Sequence, residues 1–462
     1  MKMPQETADA VICGAGIAGI AAAYHLTITY GLDNVVMVDP RAPLSLTSDK
    51  STECYRNWWP GPGDSMVSLM NRSIDIMEQL AHETGNVFQL NRRGYLFATS
   101  DPARIADFKA VAEEAARLGA GPARYHTGQP GEPVYVPAPT HGFESQSTGA
   151  DIILDPNIIQ QHFPYLPANT VAVVHARRAG WFSAQQFGMT MLERARQQGA
   201  RLLDAQVDGV QINGDRVEAV RLSSSSGPTT ISTPNFVVAA GPFLKEVGQM
   251  VGVDLPVFSE CHVKVAFKDY LGAVPREAPL VIWTDPQHLP WSSEERAALA
   301  QSEETQYMLD EFPAGIHARP EGGIDSDIVL ILWTYDTDPV EPVFPLTHDP
   351  YYPEIVLRGL STVFSGLRAY FDRMPKPVVD GGYYTKTREN RPLTGPLPVE
   401  GAYVLGALSG FGLMAAPALG ELLAAHITKS DLPHHAPAFA LERYQDPGYQ
   451  SLLEDWSGAG QL

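Results

Sequence analysis

Along the chain, apolar and polar positions alternate between two periods. The apolar run Ala10–Cys13 is followed by a glycine-rich turn, an alanine-rich stretch from Ile20 to Tyr30, and a second apolar run, Asn34 to Asp39. This predicts strand, turn, helix, strand. An amphipathic helix is expected over Phe187 to Gly199, leading into a strand at Ala200–Leu203. The alternating run Val207–Leu222 reads as strands turning at Asn213-Gly214. Phe236–Ala240 is a short apolar strand closed by Gly241-Pro242. Beyond Pro256 the pattern changes to short β-like runs, at Cys261–Phe267, Leu280–Trp283 and Ile328–Tyr335, with Pro-rich loops and a polar helix from about Ser292 to Gln306. Near the end, Ala402–Gly406, a second glycine turn and Ala415–Thr428 repeat the order strand, turn, helix. The residues after them, rich in Pro and His, read as a tail.

The first turn reads Gly14-Ala15-Gly16-Ile17-Ala18-Gly19. In such a turn the first glycine makes the bend, the second admits a pyrophosphate against the backbone, and the third lets the helix pack closely on the strand. The helix N-terminus then offers unpaired N–H groups and a partial positive charge. Asp39 stands 20 residues beyond Gly19, where a carboxylate accepts from ribose hydroxyls. A dinucleotide site is therefore expected; a purely structural glycine turn is the alternative.

Composition narrows the field. The 462 residues exceed one ordinary core and predict two or three domains, or one interleaved pair. The formal charge of −20 opposes nucleic-acid phosphates and acidic membranes. Cys13, Cys54 and Cys261 are widely spaced, which signals neither a disulfide framework nor a zinc site and fits a reducing cytoplasm. Met1–Asp9 does not read as a signal peptide. The longest apolar stretch, Tyr403–Ile427, is broken by glycines and a proline, so no membrane span is expected. His426, His434 and His435 have no acidic or cysteine partner at metal-ligand spacing.

Taken in order, these pieces resemble the D-amino-acid oxidase family of FAD-dependent oxidoreductases, which includes glycine oxidase, sarcosine oxidase and dimethylglycine dehydrogenase. The resemblance is carried by the N-terminal GAGIAG with Asp39, Leu154-Asp-Pro with Phe163-Pro, Gly180-Trp-Phe, Gln197-Gln-Gly-Ala200, Val237-Val-Ala-Ala-Gly-Pro242 and Gly406-Ala-Leu-Ser-Gly-Phe-Gly412. It implies an α/β fold: a FAD-binding Rossmann-like domain of glutathione-reductase type, interleaved with a mixed β-sheet substrate domain. The expected division gives 8–85, 151–250 and 381–432 to FAD, 86–150 and 251–380 to the substrate domain, and 433–462 to the tail. The activity implied is oxidation of a C–N bond in an amine, amino acid or related carboxylate, with the electrons passing to oxygen or another acceptor. A second glycine-rich helix start suits FAD independently, since the N–H groups and dipole near Gly410, Phe411 and Gly412 would stabilise charge on the flavin ring. Tight helix packing alone would also explain those glycines.

Expected cofactor positions are Gly14, Gly16, Ile17, Ala18, Gly19, Asp39, Pro40, Arg41, Lys50, Ser51, Thr52, Val207, Ala240, Gly241, Gly406, Gly410, Phe411, Gly412, Leu413 and Met414. In monomeric sarcosine oxidase a cysteine before the tyrosine–threonine run carries the flavin covalently; the nearest position here is Gly382, which implies noncovalent FAD. Arg56 could pair a substrate carboxylate in two-point fashion beside Trp58 and Trp59, or pair an internal acid within a packed cluster. Lys386, Arg388 and Arg391 could bind a carboxylate, help electrons reach oxygen, or serve as ordinary loop cations. His262, alternating with Lys264 on one strand face, could hold a carboxylate or accept a proton, or be structural. Three other functions fit the same motifs: a flavin-dependent 2-hydroxy-acid dehydrogenase, a non-catalytic flavoprotein assembly factor and a nicotinamide-only dehydrogenase.

Overall fold

A computed structural model describes residues 6–323, 325–454 and 456. The reading of Met1–Asp9 thus falls largely outside the described residues, as does the end of the tail.

Three sheets organise the chain. The first has six strands, ordered Arg201–Asp204, Val35–Asp39, Ala10–Cys13, Phe236–Val238, Ala402–Gly406 and Leu393–Pro396. The first five run parallel and the last antiparallel. Its central strands are apolar at almost every position, as a sheet covered on both faces requires. One face carries Ile17–Tyr24, a helix buried on all sides, packed against Gly412–Thr428. Ala184–Gln197 packs on the first of these helices and Ser65–Thr84 on the second. The other face meets a four-stranded sheet that contains the hairpin Gln206–Asn213 and Arg216–Ser223.

The nine-stranded sheet is mixed. In order it contains Val378–Lys386, Phe258–Lys268, Ile328–Leu332, His317–Glu321, Leu280–Trp283, Tyr95–Thr99, Ala172–Ala176, Ala150–Ile153 and Ala123–His126. Ala150–Ile153 and Ala172–Ala176 thus pair with this sheet, although the expected division placed most of that stretch with the nucleotide unit. Their apolar side chains join cores on both sides of the large sheet. Chain connectivity alone could not reveal that pairing.

Two other expectations change. The polar helix is shorter, Ser293–Leu299, begun by a capping box of Ser292 and Glu295; a separate turn follows at Gln306–Leu309. The tail does not lie free, because Ala436–Phe439 and Leu441–Gln445 pack on Leu393–Pro396. Arg443 is buried there, and its guanidinium donates to Glu389 Oε1 (2.7 Å) and to the carbonyls of Pro392 (2.9 Å) and Arg391 (3.2 Å).

Candidate active site

Two cavities meet at Ser51, Tyr384, Ser409 and Gly410. The larger, about 550 Å³, runs from the first glycine turn to the start of Gly412–Thr428. At Gly14 φ is +118°, and a Cβ would lie 2.3 Å from Ala239 O; at Gly19 a Cβ would lie 2.0 Å from Gly14 O. The turn therefore excludes side chains at both positions and leaves its backbone open to a ligand. Asp39 Oδ2 accepts from Ala15 N (2.9 Å) and Oδ1 from Arg41 N (2.9 Å), which holds the carboxylate at the cavity wall. Ser48 Oγ accepts from Ile17 N (3.0 Å) and so lies over the helix start, where a phosphate would sit. The Arg41 guanidinium stacks over Phe243 and Phe344 at 5.3 and 5.8 Å.

At the junction the chain is strained. Ala407 and Ser409 take left-handed φ values of 55° and 48°, a geometry that costs non-glycine residues about 1–2 kcal/mol each. Ser409 N donates to Thr385 O (2.9 Å), which helps hold this loop beside Tyr384. The following helix has no side-chain cap at its N-terminus, so its first N–H groups remain available. A first turn closed by glycines, a fixed carboxylate and a second uncapped helix start fit a dinucleotide that carries a ring system at its far end.

The smaller cavity, about 310 Å³, is charged and aromatic. Arg56 is buried, with its guanidinium 4.6 Å from the Trp59 ring centre and 5.6 Å from that of Tyr95. Trp59 meets Phe411 edge-on at 5.2 Å. Glu260 accepts from Lys386 Nζ (2.8 Å) and His262 Nε2 (3.0 Å). Burial alone would push the Glu260 carboxyl up, but those two bonds outweigh it and hold it below the usual carboxylate range. His262 stacks on Tyr384 at 4.0 Å, and its Nδ1 accepts from Thr334 Oγ1 (2.9 Å). Burial lowers the His262 pKa despite Glu260. His317 Nδ1 lies 2.9 Å from Gly315 O, and burial, aided by Arg56, depresses its pKa to about 4.

Of the expected cofactor residues, Gly14, Gly16, Ile17, Ala18, Asp39, Pro40, Arg41, Ser51, Val207, Ala240, Gly241, Gly406, Gly410, Gly412 and Leu413 line the larger cavity. Thr52, Phe411 and Met414 line the smaller one, and Gly19 acts only through its contact with Gly14. Lys50 lines neither; it pairs with Asp49 (3.1 Å) and Asp380 (2.9 Å), and Ser48 takes the position expected of a phosphate-facing residue. Arg56, His262 and Lys386 come together in the smaller cavity, whereas Lys264 turns beneath the neighbouring loop and donates to Asp49 O (2.6 Å) and Ser51 O (3.0 Å).

Arg388 and Arg391 do not reach either cavity. Arg388 is exposed, while Arg391 donates to Pro62 O (2.5 Å) and stacks over Trp456 at 4.9 Å. The cause lies between them: Glu389 is fully buried and accepts from Arg443, Tyr444 and Tyr449, which fixes that turn against the C-terminal segment. The sequence reading missed Glu260, which shares the alternating face with His262 and Lys264. It also missed His317 and Tyr95, which no local motif marks.

A family model described as "FAD dependent oxidoreductase" (DAO) matches residues 9–426. Dimethylglycine dehydrogenase, mitochondrial, of Homo sapiens is 25% identical over 281 residues, 60% of this chain and 28% of that protein. Sarcosine dehydrogenase, mitochondrial, of Mus musculus is 24% identical over 268 residues, 56% of this chain and 25% of that protein. The match thus spans little more than a quarter of these relatives. L-proline dehydrogenase from P. horikoshii superposes with TM-score 0.72 at 20% identity, covering 96% of this chain and 98% of that one. Glycine oxidase from Geobacillus kaustophilus gives TM-score 0.69 at 16% identity, covering 95% and 99%. These likenesses establish the fold. Among the described residues no helix is long and apolar enough to cross a membrane.

Proposed function

The chain belongs to the DAO family of FAD-dependent oxidoreductases, and on that premise we propose that it oxidises the C–N bond of an amino acid or other carboxylate-bearing amine. One observation supports the reading: the cavity lined by the first glycine turn and Asp39 meets, at Tyr384 and Gly410, a second cavity that holds the buried cation Arg56 between aromatic rings. Bound FAD would supply the hydride acceptor for the carbon beside nitrogen, and the imine so formed would hydrolyse to a carbonyl compound and an amine or ammonia. The glycine turn at the start of Ile17–Tyr24, with Ser48 over its first N–H, would hold the pyrophosphate, and Asp39 would hold the ribose. The start of Gly412–Thr428 lines the same cavity and would border the ring system.

Arg56 binds the substrate carboxylate with both arms of its planar guanidinium. Trp59, Phe411 and Tyr384 wall the pocket and exclude water, which strengthens the Arg56 contact. Glu260 and Lys386 neutralise each other and, with the neutral His262 ring bonded between Glu260 and Thr334, act as a rigid polar floor. The relatives' names, dimethylglycine and sarcosine dehydrogenase, agree with an amine substrate. Oxygen or another acceptor then takes the electrons.

Anaerobic reduction tests this reading. FAD-loaded protein should be bleached by one or more amines or amino acids. Reduction by 2-hydroxy acids alone would move the reaction to a C–O bond, and a flavin that no such compound reduces would favour an assembly role. Noncovalent FAD is part of the proposal: Gly382 offers no nucleophile, and burial keeps the cavity-lining thiols of Cys13 and Cys54 protonated. Acid precipitation should release the flavin into the supernatant, and colour retained in the pellet would refute this.

A further inference from the structure

His317 lies outside every sequence motif of the chain that points to chemistry. It opens the strand His317–Glu321, next to Leu280–Trp283, and its ring lines the smaller cavity beside Arg56 and His262. Its tautomer follows from one contact. Gly315 O can only accept, so Nδ1 carries the hydrogen at 2.9 Å and Nε2 carries the lone pair. Among the described residues Nε2 has no hydrogen-bond partner, and it is not sealed in the interior. The nearby groups keep the ring neutral, since burial and the Arg56 cation oppose its protonation more strongly than the Gly315 contact favours it.

We propose that His317 Nε2 accepts a hydrogen bond from the N–H of the substrate amine and thereby makes the site selective for amines that keep an N–H in their neutral form. This rests on the reading of the cavity as an amine-oxidising site. The amine reacts through its unprotonated form, in which a primary or secondary nitrogen still has a hydrogen to donate and a tertiary nitrogen has none. His317 does not take the proton itself, because a ring this hard to protonate is a far weaker base than an aliphatic amine. Directing the N–H toward Nε2 fixes the rotation of the nitrogen and so the direction of its own lone pair. The ionisable groups beside it are engaged differently: both nitrogens of His262 are occupied, Lys386 only donates, and Glu260 Oε2 already accepts from neutral His262 and from Lys386. A tertiary amine would leave Nε2 unpaired in a dry pocket, and such asymmetry costs on the order of tenfold or more.

The experiment uses FAD-loaded protein with glycine, N-methylglycine and N,N-dimethylglycine, which share one carboxylate and differ in their N–H count. Anaerobic stopped-flow reduction gives the limiting rate and apparent Kd for each. Wild type should favour the better N–H-bearing amine over N,N-dimethylglycine by at least about tenfold in their ratio. His317→Leu should bring that preference close to one with FAD content unchanged. His317→Gln, whose amide oxygen offers an acceptor at similar reach, should keep most of it. Preference for N,N-dimethylglycine in wild type, or a preference that His317→Leu leaves intact, overturns the inference while leaving amine oxidation standing. If none of the three reduces the flavin, L-proline and N-methyl-L-proline take their place with the same outcomes. Reduction by no amine of either set overturns the functional reading and this inference with it.

Discussion

Replacing Arg56 by methionine keeps most of the side chain's length but removes the cation from a pocket walled by Trp59, Tyr95 and Phe411. Charge-assisted hydrogen bonds contribute about 1.5–3 kcal/mol each, and a bidentate guanidinium supplies two. After the desolvation that both ions undergo, a net loss of about 3–4 kcal/mol is expected, or on the order of 10²–10³ in kcat/KM at about 1.4 kcal/mol per tenfold. The carboxylate is bound alike in ground and transition states, so most of the loss belongs in apparent Kd and little in the limiting rate of flavin reduction. The assay is anaerobic stopped-flow reduction of FAD-loaded Arg56→Met by an amino acid and by the same amine without its carboxylate. Only the amino acid should suffer. Arg56→Lys should fall between, because an ammonium keeps the charge and loses the planar fork. Equal effects on both compounds, with FAD still bound, would refute carboxylate binding by Arg56.

Gly14→Val should abolish FAD retention, because its Cβ would lie 2.3 Å from Ala239 O in a backbone at φ +118°; a visible-to-ultraviolet absorbance ratio like that of wild type after gel filtration would contradict this. Glu389→Ala leaves buried Arg443 without its carboxylate and takes the acceptor from Tyr444 and Tyr449, so stability should fall by about 3–5 kcal/mol in urea unfolding. Acid should unfold the protein between pH 6.5 and 4. Burial depresses His25 to about 4 and His175 to about 3, so in that window the unfolded chain binds protons that the folded one refuses. Each histidine then removes about 3 kcal/mol by pH 4, a loss that His175→Gln should lessen in a pH series of melting temperatures.

The first glycine turn and its carboxylate were legible in the sequence because their physics is local. Gly14, Gly19 and Asp39 act within one strand, turn and helix unit, and spacing alone brings them to the same sheet edge. The same holds for Ala402–Gly406 and the helix after it. Alternation placed His262 and Lys264 on one face of their strand, and the structure puts one in the cavity and the other under its loop.

The substrate end of the site was decided by contacts between distant segments. Arg388 and Arg391 turn away from the cavities because Glu389 pairs with Arg443, a residue of the presumed tail. His317 faces Arg56 only because its strand is inserted between Leu280–Trp283 and Ile328–Leu332 in a nine-stranded sheet. Periodicity and turn chemistry are set by neighbours along the chain, so the sequence by itself determined the glycine turn, its helix and the carboxylate at its edge. Which charged side chain reaches the pocket and which finds an internal partner depends on what the fold buries beside it, and the tertiary structure alone decided that.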